Sequence, residues 1–323
     1  MRIVLALMWI LHWLPLPLLG RLGTGIGRLL FIAVRSRRRI TLINLARCLP
    51  HLSPQERNCI ARKHFECYVR AVLERSILWW APVARVRRLI KVESPVPLEL
   101  MRAHPTILLC PHFVCLDVAG IAIALEASVC SIYTRQQNKA FDDALRKGRS
   151  RFHPPRLFAR GDGIKPIIRS MRERLPFFML PDMDFGLKDA EFVSFFGHPA
   201  ATLTAPARIA ATTGAKVIPV VATFLPNYRG WKVSFYPPWE NYPGPDIVVA
   251  TRRMNAFIEE RILEAPEEYF WSHKRFKTRQ PGAPDVYAKA RGTAAAYKAA
   301  EGADSTDGPN AAGVTTGIDN TSI

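Results

Sequence analysis

From Ser53 onward, apolar positions alternate between short unbroken runs and stripes of helical period. Ser53-Pro54-Gln55-Glu56 has the form of an N-cap with proline in the first turn. Ile60, Phe65, Tyr68, Val72 and Leu73 continue it as a rough stripe, which predicts a helix over 54–80. Thr106–Cys110, TILLC, reads as a buried strand. The pattern then predicts a helix at 118–127, a strand at 128–133, helices at 139–147 and 164–174, and a strand at 177–180. A helix at 204–213 closes on Gly214, strands follow at 216–224 and 231–236, and a helix occupies 247–263. Strand alternating with helix predicts an α/β fold whose mostly parallel sheet is covered on both faces. No internal repeat of 20–50 residues is visible.

The two ends differ from this body. Residues 3–20 carry no charged side chain, and eighteen helical residues reach about 27 Å, close to a bilayer core. Pro15 and Pro17 interrupt the second half, so the segment spans a membrane with a kink or lies in the interface, where Trp9 and Trp13 fit. A cleaved signal peptide or a buried core helix would share the pattern. The last 43 residues are rich in Ala, Gly, Thr and Asp without apolar periodicity. The expected organisation is an anchor at 1–25, one catalytic domain at 26–280 and a disordered tail at 281–323.

Charge sharpens the picture. The 323 residues hold 45 Lys+Arg against 27 Asp+Glu, a net +18, so an anionic partner is expected. Residues 1–55 contain eight arginines and no acid, including Arg35, Arg37, Arg38 and Arg39 just beyond the apolar segment. Such an arrangement marks the cytoplasmic side of a bilayer and attracts anionic head groups. A nucleic-acid-binding tract is the competing reading. With 49% hydrophobic residues the chain is not wholly disordered, and six cysteines are too sparse for a disulfide scaffold.

The candidate chemistry lies in CPHFVCLDVAG, directly after TILLC. His112 falls at the carboxyl end of a buried strand, where α/β sheets place ligands. Asp117, five residues on, would share no face with it on a regular helix, but in a loop entering a helix its carboxylate can turn back to the imidazole. The imidazole would then take a proton from a hydroxyl, supplied by the substrate because no Gly-x-Ser-x-Gly elbow is present. A packed histidine beside a capping aspartate is the bland alternative. Cys110 and Cys115 lack the further ligands a zinc site needs and read as buried thiols.

His-x4-Asp after an apolar strand resembles the motif of glycerolipid-type acyltransferases. Its surroundings resemble the lipid A biosynthesis late acyltransferases, the lauroyl and myristoyl transferases of Gram-negative bacteria. The matching stretches are NLARCLPHLSPQERNCIARKHF, PHFVCLD, YTRQQNKAFDDALRKGRSRF, FFMLPDMDFGLKDAEFVSFFGHPAATLTAPARIAATTGAKVIP and PEEYFWSHKRFKTR, covering about residues 1–280. Asp182-Met183-Asp184 departs from the family's usual Gln or His at the middle position.

The resemblance implies a glycerophosphate-acyltransferase-like α/β fold with an N-terminal membrane-anchoring helix. It implies transfer of a fatty acyl chain from acyl carrier protein to a hydroxyl of an acyl chain on a phosphorylated glycolipid, the lipid A precursor. No cofactor or metal belongs to that reaction, and nucleic acid is not a partner in it. The place of action is the cell inner membrane, on its cytoplasmic side. His112 would be the base, Asp117 its orienting carboxylate, and Arg149 the arginine of the catalytic pocket. Arg135 and Asn138 would line the site; apart from the resemblance, Arg160 and Lys165 in FARGDGIK are phosphate candidates by their charge. Asp182 and Asp184 would form a polar rim for the sugar; as D-x-D they offer too few oxygens for a hard cation. Gly197 and Thr202 continue that stretch toward the acceptor, and SHKRFKTR suits a membrane- or phosphate-facing element. An acyltransferase for another lipid acceptor, such as a lysophospholipid, and a non-enzymatic basic surface protein are the alternatives.

Overall fold

The computed structural model describes residues 1–94 and 96–288, except for the side chain of Arg160; of the tail expected over 281–323, residues 289–323 lie outside the described residues. Eleven α-helices and nine strands are present among them. Helices α1 (Arg2–Leu11), α2 (Leu16–Ala33), α3 (Arg35–Cys48), α4 (Pro54–Trp80) and α5 (Val83–Leu89) come first. Strand β1 (Ile90–Val92), α6 (Leu98–Ala103), β2 (Thr106–Leu109), α7 (Leu116–Ala124), β3 (Cys130–Tyr133), α8 (Lys139–Arg149) and β4 (Arg156–Ala159) follow. Then come α9 (Lys165–Arg172), β5 (Phe177–Met179), the hairpin β6 (Ala190–Phe195) and β7 (His198–Leu203), and α10 (Ala205–Thr213). The last elements are β8 (Lys216–Phe224), β9 (Trp231–Phe235) and α11 (Ile247–Glu264).

Seven strands form one sheet in the order β1-β9-β8-β2-β5-β3-β4. Every pairing is parallel except β8 with β9. The mostly parallel α/β expectation therefore holds. β2 is central and buried along its whole length, with β8 on one side and β5 on the other. Its period of two feeds two apolar layers. Leu108 and Cys110 join Val118, Ile121, Leu78 and Trp231 on one face. Ile107 and Leu109 join Phe177, Met179, Ile209, Met254 and Ile258 on the other.

α4 begins as its sequence prescribes. The Ser53 hydroxyl accepts from the Glu56 N–H while the Glu56 carboxylate accepts from the Ser53 N–H, a complete capping box. The β6–β7 hairpin has no counterpart in the periodicity. Its two turn residues, Phe196 and Gly197, have φ of +49° and +78°, the geometry of a tight primed turn. Gly197 is thus explained by the turn.

At both ends the boundaries differ from expectation. The uncharged stretch is two helices, broken at 12–15 with Pro15 as the N-cap of α2. The helix long and apolar enough to cross a membrane is Leu16–Ala33, so a boundary at 25 would cut through it. At the other end the compact unit runs to Tyr287, beyond 280. Tyr287 is buried and its hydroxyl donates to Asn44 Oδ1 while accepting from the Phe276 N–H.

Candidate active site

β2 and β5 are neighbouring parallel strands, so their carboxyl ends open at the same edge. Leu109 faces Met179 in the register, and the Cys110 N–H continues the ladder to the Met179 carbonyl at 2.8 Å. Three residues beyond Leu109 stands His112; three beyond Met179 stands Asp182. The two meet. His112 Nδ1 lies 2.7 Å from Asp182 Oδ1, and the His112 backbone N–H donates to Oδ2 at 2.9 Å. One carboxylate thus fixes both the ring and the backbone that carries it.

Asp182 is buried. Burial opposes its charge, but the attraction of His112 and the two hydrogen bonds outweigh this and hold the carboxyl below its usual range. Tyr269 packs against the same carboxylate; burial first, then the charge of Asp182, pushes its phenol well up, so it stays a neutral donor. In the neutral ring, an anion at Nδ1 favours the tautomer with the proton on that nitrogen, which leaves the lone pair on Nε2. Nε2 has no protein partner among the described residues, and the side chain keeps 15% of its surface exposed. The remaining support is backbone. The Phe270 N–H donates to the His112 carbonyl at 3.0 Å, and the Val114 N–H to the Glu268 carbonyl at 2.8 Å.

Asp117 does not orient His112 here, contrary to the reading of the His-x4-Asp spacing. It lies in the first turn of α7 and faces two arginines. Arg149 places Nε and Nη2 at 2.9 and 2.6 Å from Oδ1. Arg75 Nε stands 2.6 Å from Oδ2, as an ion pair whose N–H is not aligned for a hydrogen bond. Burial would raise this carboxyl; the charge of Arg149, then that of Arg75, outweighs it and brings it down to about 2. The two acidic centres are close enough that both act on the buried Cys110 thiol. Burial, then Asp182 and Asp117, push that thiol above its ordinary range, so it is inert.

α8 carries Arg149 to this point by close approach. A Cβ on Gly148 would lie 2.3 Å from the Trp79 ring, so only glycine lets the last turn of α8 lie on α4. Arg149 is partly exposed, with 37% of its side chain accessible, so it remains open to a second anion.

Asn138 is the N-cap of α8, accepting from the Phe141 N–H at 3.1 Å. Arg135 is exposed near Asp142. Arg160 opens a single 3₁₀ turn after β4, and its side chain lies outside the described residues. The Asp184 oxygens accept from the Gly186 N–H and from the N–H and hydroxyl of Thr278. Thr202 is buried, with its hydroxyl accepting from Arg275 Nη2 at 2.6 Å. The Thr202 hydroxyl also donates to the Ala200 carbonyl and so has no capacity left for a sugar, whereas the Asp184 carboxylate keeps an acceptor site beyond its three protein donors. SHKRFKTR divides: Arg275 and Phe276 are buried, whereas Lys274, Lys277 and Arg279 are exposed. Asp182 as the histidine's partner and Arg75 are the residues that sequence reasoning missed. No local spacing links positions 75 and 117 or 112 and 182.

Comparison with known proteins agrees with this architecture. The profile of the family "Bacterial lipid A biosynthesis acyltransferase" matches residues 1–278. The chain is 29% identical over 286 residues to the lipid A biosynthesis lauroyltransferase of Escherichia coli K12, covering 88% of this chain and 93% of that one. It is 32% identical over 274 residues to the myristoyltransferase of the same organism, covering 84% and 83%. It is 29% identical over 286 residues to the palmitoleoyltransferase, covering 88% and 92%. The protein is therefore an acyltransferase of lipid A biosynthesis and belongs to that bacterial family.

Proposed function

We propose that the chain transfers a fatty acyl group from the thioester of acyl carrier protein to a hydroxyl on an acyl chain of a phosphorylated glycolipid precursor, with His112 as general base and Asp182 as its orienting carboxylate. The observation that carries this is the His112 ring, bound at Nδ1 by a buried anion and open at Nε2, at the carboxyl edge of the sheet. Nε2 takes the proton of the acceptor hydroxyl as its oxygen attacks the thioester carbonyl carbon. A tetrahedral oxyanion forms. Its collapse breaks the C–S bond, and the departing thiolate receives the proton from the imidazolium, leaving an ester and a free thiol. Asp182 stabilises the imidazolium between these steps without being protonated itself.

Arg149, held by Asp117 yet partly exposed, supplies positive charge for a phosphate or for the oxyanion. The acceptor is a lipid, and the apolar residues exposed on α1 and α2 together with the acid-free arginines support action at the cytoplasmic face of the inner membrane.

The deciding assay offers purified protein a tetra-acylated phosphoglycolipid, a lysophospholipid and a panel of acyl-carrier-protein donors, with products read by mass spectrometry. One added acyl chain on the phosphoglycolipid is expected, and His112→Ala lowers its rate by about 10²–10⁴-fold. An unchanged rate in that variant, or transfer to the lysophospholipid alone, overturns the reading.

A further inference from the structure

The two N-terminal helices are fastened to the body at every stage. α1 packs on α4 and α8 and buries Met8. At the break, Arg85 of α5 donates to the carbonyls of His12 and Leu14, both at 2.5 Å. α2 then lies against α4 through glycines. A Cβ on Gly23 would stand 2.8 Å from the Arg70 Cα, and one on Gly27 2.5 Å from the Glu66 Cα. Phe31 stacks edge-on with Phe65 at 5.5 Å, and Arg28 Nε meets Glu66 Oε1 at 2.8 Å. From Gly20 to Phe31 this contact runs about 16 Å along the helix.

That attachment conflicts with a bilayer-crossing α2. If α2 crossed, α4 would be drawn to hydrocarbon depth beside it, with Arg28, Arg62 and Glu66 at the level of the acyl chains. Charges facing lipid there are strongly disfavoured. Yet only a third of α2 is buried. Its outer face exposes Leu18, Leu22, Leu29, Leu30 and Ile32, while α1 exposes Ile3, Leu7, Trp9 and Ile10, and the break exposes Trp13. Such an apolar face, joined to eight arginines without an acid in residues 1–55, matches the boundary between acyl chains and anionic head groups.

We propose that α1 and α2 form an in-plane elbow docked in one leaflet of an anionic bilayer, leaving the N-terminus on the same side as the catalytic body. This rests on the membrane reading above and goes beyond it by fixing the topology. Because α1 borders α8, which carries Arg149, the docked surface adjoins the site that receives a lipid.

The test places one epitope tag at the N-terminus and another at the C-terminus of the full chain, and exposes spheroplasts to protease. Both tags are expected to survive in intact spheroplasts and to be cut together after permeabilisation. Cleavage of the N-terminal tag alone in intact spheroplasts shows a crossing helix and overturns the elbow. Cleavage of both in intact spheroplasts keeps the elbow and overturns the cytoplasmic side. Recovery of the wild-type chain entirely outside the membrane fraction overturns the membrane reading and the elbow with it. The double variant Leu29→Glu/Ile32→Glu alters two side chains that are about two-thirds exposed. It is expected to lower the membrane-bound fraction about tenfold while retaining transfer to a detergent-dispersed acceptor; unchanged membrane binding overturns the role of the α2 face.

Discussion

Two aspartates at one site meet different partners, and their substitutions separate by kind of effect. Asp182→Asn keeps the volume but removes the anion at His112 Nδ1, so the tautomer and the imidazolium lose their support. A fall in kcat of about 10²–10⁴-fold with little change in KM is expected, read in the acyl-transfer assay. Asp117→Asn leaves His112 paired and instead frees Arg75 and Arg149. Its first effect is on stability, about 3 kcal/mol or less, since Arg149 is partly exposed and water screens part of the loss. The acid sensitivity has a definite sign. The folded Asp117 carboxyl, at about 2, lies below its unfolded value near 4, so its stabilisation is complete above about pH 4 and is lost as pH falls toward 2. Thermal melts of wild type and Asp117→Asn should therefore converge as pH is lowered through that window.

Among the elements, α4 was fully legible: the capping box, the proline and the apolar stripe are all local, and the helix spans the expected residues. The β6–β7 hairpin was not, because its turn uses Phe196-Gly197 instead of an Asn-Gly or Asp-Gly pair. The packing of α8 on α4 was also hidden, since Gly148 inside a helix reads only as a weak helix former. Gly148→Val should cost about 1–3 kcal/mol by overpacking Trp79 and should shift Arg149, lowering both the melting temperature and the transfer rate. Glu74, paired with Arg70 at 3.1 Å, and Glu268 are both buried, and the charge of Glu74 acts on Glu268. Burial raises Glu74 to about 7 and Glu268 to about 8. Between the unfolded value near 4.3 and these values the folded chain binds more protons, so stability falls as pH rises toward 8. Glu268→Gln should flatten that decline in melts taken from pH 5 to pH 8, because the amide still accepts from the Phe224 N–H without carrying charge.

For the whole molecule, the net +18 resolves into parts with different tasks. Some of it is internal: Arg275 is buried in hydrogen bonds, and Arg75 and Arg149 neutralise Asp117. The acid-free arginines of the first helices face a surface that is apolar beside them, which suits a lipid interface better than a nucleic acid. In cells lacking the gene, mass spectrometry of lipid A is expected to show one secondary acyl chain missing; intact lipid A would remove this acceptor from consideration.

By itself the sequence determined the class of element at most positions, because the period of apolar residues, caps and turn chemistry act within a few residues. It also placed His112 at a strand end, since a buried strand must stop where polar chain begins. It could not say which acid His112 would meet. Asp117 was near in the chain, but α7 carries it to Arg149 and Arg75. Asp182, seventy positions away, arrives only because β5 lies beside β2 and the two leave the sheet in the same register. Strand order is a property of how the whole chain buries its apolar faces, so the partner of His112 was decided by the tertiary structure alone.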